Sequence, residues 1–343
     1  MRRRWWVAAM GLLGACAGLA GAVLRLPPAG PPEGTELLTG ASPLSAPSQL
    51  RVWSWNIHYG AGATARAGRA TAAAETRAHL DAIAAALRSH EVDVVLLQEV
   101  DRAGRRAHGI DQLQHLRAAS GLGWAAFVET WRAGWVPYPF TAPSTQIGEV
   151  HSGIAVLSRF PLAGLARHAL PQIPSRPAVL NRLSLHRALL DVELDIGAGR
   201  RVRVFNAHLE SADRPNREQQ AALVAARLRT ATGPLLFGGD INAPPPEAPQ
   251  QGGFSDEPNE DHAGETTVPT LRAVPGLLPV LDPAAFAAAP AAFATYPAEA
   301  PSRRIDELFV GGGLRVLSTR VPVVAPAASD HRPVEAVLAL PPP

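Results

Sequence analysis

The sequence predicts an α/β (α+β) fold in which a pair of mixed β-sheets is flanked by helices. About ten segments are strand-like, and three or four have the apolar spacing of amphipathic helices. Some consecutive strands are joined as hairpins and others through a helix, which predicts antiparallel and parallel pairing together. A chain of 343 residues with 47% hydrophobic residues buries a sizeable core, as one large domain or two modest ones. Helices on the outer faces cover both sheets.

The first half of the chain predicts three strands and two helices in alternation. The alternating run RVWSWNI predicts a strand over 51–57, and apolar residues at helical spacing predict a helix over 71–90. The short apolar run VDVVLL is typical of a strand that is buried on both faces. A second helix is predicted over Gln112–Ser120, followed by a strand near Trp124–Val128. We interpret the aromatic-rich stretch 129–149 as irregular.

The second half predicts mainly hairpins. HSGIAVLSRFPL predicts a strand that ends in a turn, and residues 186–196 and 201–209 predict two strands around a glycine-rich turn. Residues 214–230 predict a helix, and PLLFGG predicts a buried strand. The Pro- and Ala-rich stretch 243–301 predicts a long connection with one short helix. The three last strands are predicted near 304–310, 314–321 and 332–340.

The N-terminus predicts a signal or anchor segment over residues 1–25, with three arginines, an apolar stretch and small residues. Leu13-Gly14-Ala15-Cys16 resembles a bacterial lipobox, in which Cys16 is lipidated. Alternatively, the uncharged stretch from Trp5 to Leu24 is, at ~20 residues, long enough to span a bilayer. Ordinary cleavage is a third reading. Each predicts a location at the extracytoplasmic face of the cell envelope, because the arginines stay inside.

Two further segments follow this N-terminus. Residues 26–49 are rich in Pro, Gly and Ser and predict a tether, and residues 50–340 predict one globular domain. Cys16 is the only cysteine, which excludes an intrachain disulfide. Without Arg2–Arg4, 29 basic residues stand against 30 acidic ones, so the body has no dominant electrostatic footprint for nucleic acid.

Acidic, amide and imidazole residues occur where apolar, strand-like runs end. A buried strand has no use for a carboxylate at its end unless something cationic lies there, so several such residues together indicate a metal site and a phosphate-sized reaction centre. The set is Asn56, Glu99, Asn206, His208, Asp240, Asn242, Asp306, Asp330 and His331.

Three of these residues are candidate ligands for Mg²⁺, which prefers oxygen ligands and keeps several waters. Glu99 follows an apolar run and has only Arg102 as a nearby basic residue. Asn56 offers a neutral oxygen and Asp330 a second carboxylate. Taken alone, Glu99 is equally explained as an exposed cap at a strand end.

The other candidates have the chemistry of phosphoryl transfer. Asp240 and Asn242 lie two residues apart, hence on one side of an extended chain, where the carboxylate can activate a water and the amide can donate to a phosphoryl oxygen. An Asx-type turn is the alternative for this pair. His208 and His331 can donate to phosphoryl oxygens, and Asp306 can orient one of the two imidazoles.

The order of the motifs WN, LQE, SGIAVLSR, NAHLES, GGDIN, RRID and SDH resembles the endonuclease/exonuclease/phosphatase superfamily over about residues 50–340. The resemblance implies a four-layer α/β/β/α sandwich of two mixed sheets, with the site between the sheets. It implies a divalent cation, Mg²⁺ or alternatively Mn²⁺ or Ca²⁺. The implied roles follow. Asn56 and Glu99 hold the metal with Asp330 close by, Asp240 positions the water, Asn206, His208 and Asn242 contact the phosphate, and Asp306 orients His331.

The chain also departs from parts of that superfamily. The signatures of inositol-polyphosphate phosphatases are absent, and abasic-site endonucleases usually have a tyrosine where this chain has His208, so both subfamilies are disfavoured. Relatives often pair the histidine equivalent to His208 with a further acidic residue, for which Glu149 is a candidate.

The resemblance predicts a phosphodiester substrate, either nucleic acid or a lipid head group, and no obligate protein partner. The first reading is an envelope-anchored nuclease or general phosphodiesterase. The second is a phospholipid or sphingomyelin-type head-group phosphodiesterase, with Trp131, Trp135, Tyr138 and Phe140 forming a membrane-contacting loop. The alternative for these rings is packing on the sandwich. The third reading is a non-catalytic surface module, against which the intact set of site residues counts.

Overall fold

The computed structural model describes residues 33–41, 47–63, 71–138, 142, 145–324 and 328–340. Its strands are β1 Thr35–Leu38, β2 Gln49–Asn56, β3 Val94–Asp101, β4 Trp124–Val136, β5 Gly148–Ser158, β6 Leu162–Ala169, β7 Ala188–Asp195, β8 Arg201–His208, β9 Leu235–Asp240, β10 Leu278–Pro279, β11 Asp306–Gly311, β12 Arg315–Arg320 and β13 Val334–Ala339. Its helices are α1 Ala73–Ser89, α2 Gln112–Ser120, α3 Ala178–Leu183, α4 Arg214–Leu228, α5 Thr267–Arg272 and α6 Pro283–Ala288, with short 3₁₀ turns at His58–Gly60 and Pro290–Phe293.

The strands form two mixed sheets, as predicted. The first has the order β1-β4-β5-β3-β2-β13-β12 and the second the order β10-β11-β9-β8-β7-β6. The pairs β2–β3 and β8–β9 are parallel, and the other pairs are antiparallel. Each parallel pair is connected through a long helix, α1 or α4, because a parallel connection must return the chain to the starting edge.

Three apolar clusters hold four layers together. Side chains from the inner faces of both sheets, such as Leu96 and Leu308, meet in the central cluster. On one outer face, α1 and α2 pack against Trp53, Trp55 and Leu97. On the other, α4 and α5 pack against aromatic residues of the second sheet, including Phe237. The predicted α/β/β/α sandwich is therefore confirmed.

The structure departs from the sequence prediction in five segments. The first is β1, which lies within the stretch interpreted as a tether. It pairs with the edge strand β4 through four residue pairs, and Glu36 forms an ion pair with Arg102 (2.6 Å). The short run TELL has only one alternation, too little to distinguish a strand from a linker.

The other differences concern the middle of the chain. The stretch 129–149 is not irregular throughout, because β4 continues to Val136 and pairs with β5 across two register shifts. β6 and α3 were not anticipated; β6 is half-exposed and has no clean alternation, and α3 buries none of its residues. The stretch 243–301 contains two short helices and a two-residue strand, not one helix.

The predicted signal or anchor segment 1–25 lies outside the described residues. Within the part of the chain that the structure describes, no helix has both the length and the apolar character needed to cross a bilayer.

Candidate active site

The candidate residues converge because of strand direction. Asn56, His208 and Asp240 end β2, β8 and β9, whereas Asp306 begins β11. β11 runs antiparallel to β9, so Asp306 lies opposite Asp240, and Asp240 lies beside His208 in the parallel pair. The C-terminal ends of β2, β8 and β9 and the N-terminal start of β11 therefore lie at one rim of the sandwich.

Glu99 reaches this rim through a bulge in β3. The regular pairing of β3 with β5 is interrupted between Leu97 and Val100, and Glu99 has φ 56°, a left-handed conformation that is strained for a glutamate. Burial raises the pKa of Glu99, but His58, Arg106 and a hydrogen bond from Asn56 lower it below its usual value. Glu99 is thus held as a carboxylate.

Asn56 lies where it was predicted but presents a different group. Its Oδ1 accepts a hydrogen bond from the backbone N–H of His58 (2.9 Å), which fixes the orientation of the amide. Its Nδ2 therefore donates to Glu99 Oε1 (3.2 Å) and to Asp240 Oδ2 (3.0 Å). In this arrangement Asn56 links two carboxylates as a donor, and the expectation that its oxygen binds the metal stays a prediction.

Asp330 lines the same cavity as Glu99. Burial raises its pKa, His58 and His331 lower it, and the charge of Glu99 raises it, so the two carboxylates act on one another. The only ion pair of Asp330 among the described residues is with His58 (Nδ1 to Oδ2, 3.4 Å). Two carboxylates beside an open cavity match the oxygen-rich, water-keeping site of a small divalent cation, so the residues fit such a metal.

A second group of possible ligands is Asp240, Asp306 and His331, whose donor atoms lie within 4.8 Å of one another. Within this group, His331 Nδ1 and Asp306 Oδ2 form a hydrogen bond of 2.9 Å, while the buried Asp306 Oδ1 has no hydrogen-bond partner among the described residues. This group also includes an imidazole, which Mg²⁺ disfavours. Glu99 and Asp330 therefore stay the candidate ligands of the cation.

Asp306 and His331 form a buried carboxylate–imidazole dyad. Burial lowers the pKa of His331, but the carboxylates of Asp306 and Asp240 outweigh burial and raise it above its usual value. The His331 Nε2 lies 3.7 Å from Asp240 Oδ2, and Tyr296 packs on the imidazole with ring centroids 4.7 Å apart. His331 is thus a cationic donor with a fixed ring plane.

His208 has the opposite electrostatic environment. Burial, together with the positive charges of Arg187 and His331, lowers the pKa of His208 well below its usual value, so the imidazole is neutral. The carboxylate that reaches its ring is Asp240 (3.6 Å), and Glu149 lies exposed on β5. A neutral imidazole still donates one N–H toward a phosphoryl oxygen.

Asp240 and Asn242 face the cavity together. Burial raises the pKa of Asp240, His331 lowers it and Asp306 raises it. Asn242 has φ 53°, and its backbone N–H donates to Asp240 Oδ1 (3.0 Å), so the Asx-type turn coexists with the site geometry. The preceding Gly239 has φ 147°, and a Cβ there would lie 1.8 Å from the carbonyl oxygen of Ala207. Only glycine permits this approach to Asp240.

Asn206 does not reach the cavity. Its side chain is fully buried and points between the sheets, where Nδ2 donates to the carbonyl oxygens of Leu97 and Ala155 (both 2.9 Å). Its Oδ1 accepts from Gln98 Nε2 (2.8 Å). Both amide hydrogens are used, so the implied phosphate contact of Asn206 is wrong for this structure. The residue shares a strand face with His208 but lies one residue pair deeper in the sandwich.

The cavity has a volume of about 620 Å³, and seven of the nine predicted residues line it. They are Asn56, Glu99, His208, Asp240, Asn242, Asp330 and His331. Asp306 lies behind His331. The structure therefore places the predicted cation ligands and phosphate donors at one wall, while their roles stay a prediction.

Sequence reasoning missed three residues of this cavity. His58 and Tyr296 contact Asp330 and His331, but their surroundings, HYGAG and ATYPA, have no pattern that distinguishes them from loop residues. The Arg187 guanidinium is 7% exposed, and its Nε and Nη1 have no hydrogen-bond partner among the described residues. A lone arginine at the start of a strand-like apolar run, as in HRALL, was the available signal.

The structure describes three of the four aromatic residues of the lipid reading. Trp131 is buried in β4, where its indole N–H donates to the carbonyl of Leu183 (2.8 Å). Trp135 donates to Gln146 Oε1 (2.7 Å), and Tyr138 is 44% exposed. Phe140 lies outside the described residues. Both tryptophans therefore pack on the protein.

The sequence and the fold of this chain were compared with known protein families and solved structures. The sequence model of the Endonuclease/Exonuclease/phosphatase family matches residues 53–331. No protein with a curated description matches the chain in sequence. An endonuclease/exonuclease/phosphatase from Beutenbergia cavernae has a similar structure, with a TM-score of 0.63 and 24% identity over 86% of this chain and 72% of that chain.

Two further solved structures share the fold. A humanized D. rerio TDP2 is similar with a TM-score of 0.55 and 17% identity, over 86% of this chain and 100% of that one. The mannosyl-6-phosphatase Bt3783 from Bacteroides thetaiotaomicron is similar with a TM-score of 0.54 and 17% identity, over 85% of this chain and 100% of that one. At these identities the likeness shows the fold alone.

Proposed function

Because the chain belongs to the endonuclease/exonuclease/phosphatase family, whose members are metal-dependent phosphoric ester hydrolases, we propose that it hydrolyses a phosphodiester with the help of Mg²⁺. Mn²⁺ and Ca²⁺ are the alternative cations. The observation that carries the proposal is the shared cavity. In it, Glu99 and Asp330, neither of which forms an ion pair with an arginine among the described residues, face a carboxylate–imidazole dyad and a neutral histidine.

The proposed chemistry assigns one task to each side chain. Glu99 and Asp330 hold the cation, which neutralises charge on the phosphoryl oxygens when bound. Asp240 orients a water and accepts its proton; burial raises the pKa of this carboxyl, which strengthens it as a base. The His331 imidazolium, held by Asp306, and the neutral His208 donate to the phosphoryl oxygens as negative charge grows there.

The substrate we favour is a nucleic acid or another small phosphodiester. Arg187 places a buried cation on the cavity wall. Its Nε and Nη1 have no hydrogen-bond partner among the described residues, and the nearest carboxylate, Glu210 Oε2, lies 3.9 Å from Nε, so an anionic substrate offsets part of the cost of burying the charge. One similar structure is a D. rerio TDP2 in complex with a single-strand DNA product, which is consistent with this choice. The head-group reading loses its main support with the buried Trp131.

Hydrolysis of a chromogenic bis-ester, plasmid DNA, RNA and sphingomyelin vesicles tests the proposal. Activity is expected to disappear with a chelator and to return with Mg²⁺, and Asp240→Asn or His331→Gln is expected to cost on the order of 10²-fold or more in kcat. Asp81→Asn, at an exposed ion pair with His115, is the matched control. Wild-type turnover in both site variants contradicts the assignment, and turnover of sphingomyelin alone selects the head-group reading.

We further propose that the protein acts at the extracytoplasmic face of the envelope, anchored by its first 25 residues. The arginine-rich, then apolar N-terminus supports this location. Mass spectrometry of the mature N-terminus separates the three alternatives, because a diacylated Cys16, an intact Met1 and a new N-terminus after an unlipidated cleavage differ in mass. A soluble protein with an intact, unmodified Met1 contradicts anchoring.

A further inference from the structure

We propose that Asn206 is a positioning residue for the cation site: from the facing sheet, it holds the β3 bulge that aims Glu99 into the cavity. This inference rests on the proposed function, in which Glu99 binds the cation. It replaces the phosphate contact that the motif NAHLES implied.

The first support is where the Asn206 amide donates. Leu97 of β3 and Ala155 of β5 are the last regularly paired residues before the bulge, and the Asn206 Nδ2 donates to the carbonyl oxygens of both. One side chain of the second sheet therefore links the two strands of the first sheet at the point where their pairing breaks.

The second support is the contact with the bulge itself. Residues 98 and 99 face a single residue of β5, and Gln98 donates its Nε2 to Asn206 Oδ1 (2.8 Å). The same Nε2 lies 3.3 Å from its second acceptor, the carbonyl oxygen of Leu96. The residue next to Glu99 is thus held by the same amide.

The third support is the strain at Glu99. A positive φ persists in a glutamate only when the surrounding structure over-determines it. Asn206 is fully buried, and the N–H and carbonyl groups of its amide are all engaged, so its contacts are made within the protein and not with a ligand. Without the amide, the backbone at 97–100 can relax and the Glu99 carboxylate can leave the cavity.

The experiment measures Mg²⁺ and Mn²⁺ binding to the substrate-free protein by titration calorimetry, beside kcat and KM. Asn206→Leu removes the amide but keeps the number and branching of the side-chain heavy atoms, and it is expected to weaken cation binding about 10- to 100-fold. Saturating Mg²⁺ is expected to restore most of kcat, with KM for the bis-ester unchanged. Asn216→Leu is the matched control, because Asn216 is an equally buried amide on α4 that donates to Gln172 and lies outside the bulge.

Two further variants keep the outcome decisive. If Asn206→Leu does not fold, Gln98→Met removes the same link from the β3 side and is expected to weaken cation binding in the same direction. Unchanged cation affinity in the folded variants, whether or not KM is raised, overturns the inference. Glu99→Gln separates the two proposals: if it leaves cation affinity intact, the proposed cation site itself is wrong.

Discussion

A single glycine determines how close Asp240 comes to its neighbours. Gly239 combines φ 147° with a backbone contact from Ala207 that leaves no room for a Cβ. Gly109 also has a positive φ, 73°, but no atom within 4 Å of where its Cβ would lie. A substitution at Gly109 therefore introduces backbone strain alone, whereas one at Gly239 introduces both backbone strain and steric overlap.

We expect Gly239→Ala to lower the free energy of unfolding by more than about 3 kcal/mol, because strain and overlap with a carbonyl oxygen add. Gly109→Ala is expected to cost only about 1–2 kcal/mol, the strain alone. Urea unfolding of the two variants measures both values. Equal losses contradict the overlap argument.

Tyr296 gives a second prediction at the scale of one residue. Its ring packs on the imidazole of His331, and the guanidinium carbon of Arg303 lies 4.6 Å from the centroid of the same ring. We expect Tyr296→Leu to lower kcat about tenfold, because the imidazole then loses its fixed plane. Tyr296→Phe keeps the ring and is expected to restore kcat. If the Phe variant is as slow as the Leu variant, the hydroxyl and not the ring is important.

The sequence predicts those residues of the candidate site that lie at the ends of strands. Asp240, His208 and Asp306 each occupy a strand terminus, and strand termini of known direction meet at one rim. The orientation of the amides could not be predicted. Whether Asn56 offers its oxygen depends on the backbone turn that brings the N–H of His58 to it, and whether Asn206 reaches the cavity depends on carbonyl groups supplied by distant strands.

At the scale of elements, α4 is attached to the connection 243–301 by a buried ionic cluster. Glu265 accepts hydrogen bonds from Arg217 Nε (2.6 Å) and Nη2 (3.0 Å) and from Thr267 Oγ1 (2.7 Å), and it contacts His262 Nδ1 (2.6 Å). Burial raises the pKa of Glu265, but hydrogen bonds from His262 and Arg217 and the charge of Arg217 lower it to about 2.

This cluster predicts a dependence of stability on pH. Because the folded pKa of Glu265 lies below its unfolded value of 4.5, the carboxylate stabilises the folded state fully above that pH, and the contribution is lost as the pH falls from about 4.5 toward 2. We expect Glu265→Gln to cost roughly 3 kcal/mol or more at pH 7 and clearly less at pH 3. Denaturant unfolding at both pH values measures this difference.

The control for this prediction is Glu193→Gln, which removes a surface ion pair with Arg201 and is expected to cost less than about 1 kcal/mol. A loss for Glu265→Gln that is the same at pH 3 and pH 7 contradicts the ionic account and indicates packing instead.

Most regular elements followed from the pattern of apolar residues, and the exceptions have a common cause. The predicted bounds of α2, Gln112–Ser120, agree with the structure, because an Asp111 cap and a Gly121 end mark them locally. β6 and α3 lack such marks. β6 is held by its pairing with β7, and the last residue of α3, Leu183, accepts a hydrogen bond from the indole N–H of Trp131 through its carbonyl oxygen. Contacts of this kind are not encoded in a short window of sequence.

At the scale of the whole molecule, β1 extends the first sheet by one strand. Without it, the edge of β4 is uncovered, and Arg102 keeps only Asp111 of its two carboxylate partners. We expect a chain that begins at residue 45 to be about 2 kcal/mol less stable than one that begins at residue 33, and to self-associate through the open edge.

Thermal unfolding and size-exclusion chromatography of these two chains, side by side, measure both effects. Equal melting temperatures and equal elution volumes would show that β1 adds nothing to the domain, and its pairing with β4 would then be incidental.

If the first 25 residues are fixed in a membrane, as we propose, the position of β1 limits how far the domain can lie from the bilayer. Residues 26–49 as a free linker would extend to roughly 80 Å, whereas the pairing of β1 with β4 begins at Thr35 and leaves about nine residues before it, which span at most ~30 Å. With such a tether, the candidate active site stays close to the lipid surface. Its phosphodiester substrate must then reach the membrane surface, because the tether is too short for the domain to move far from it.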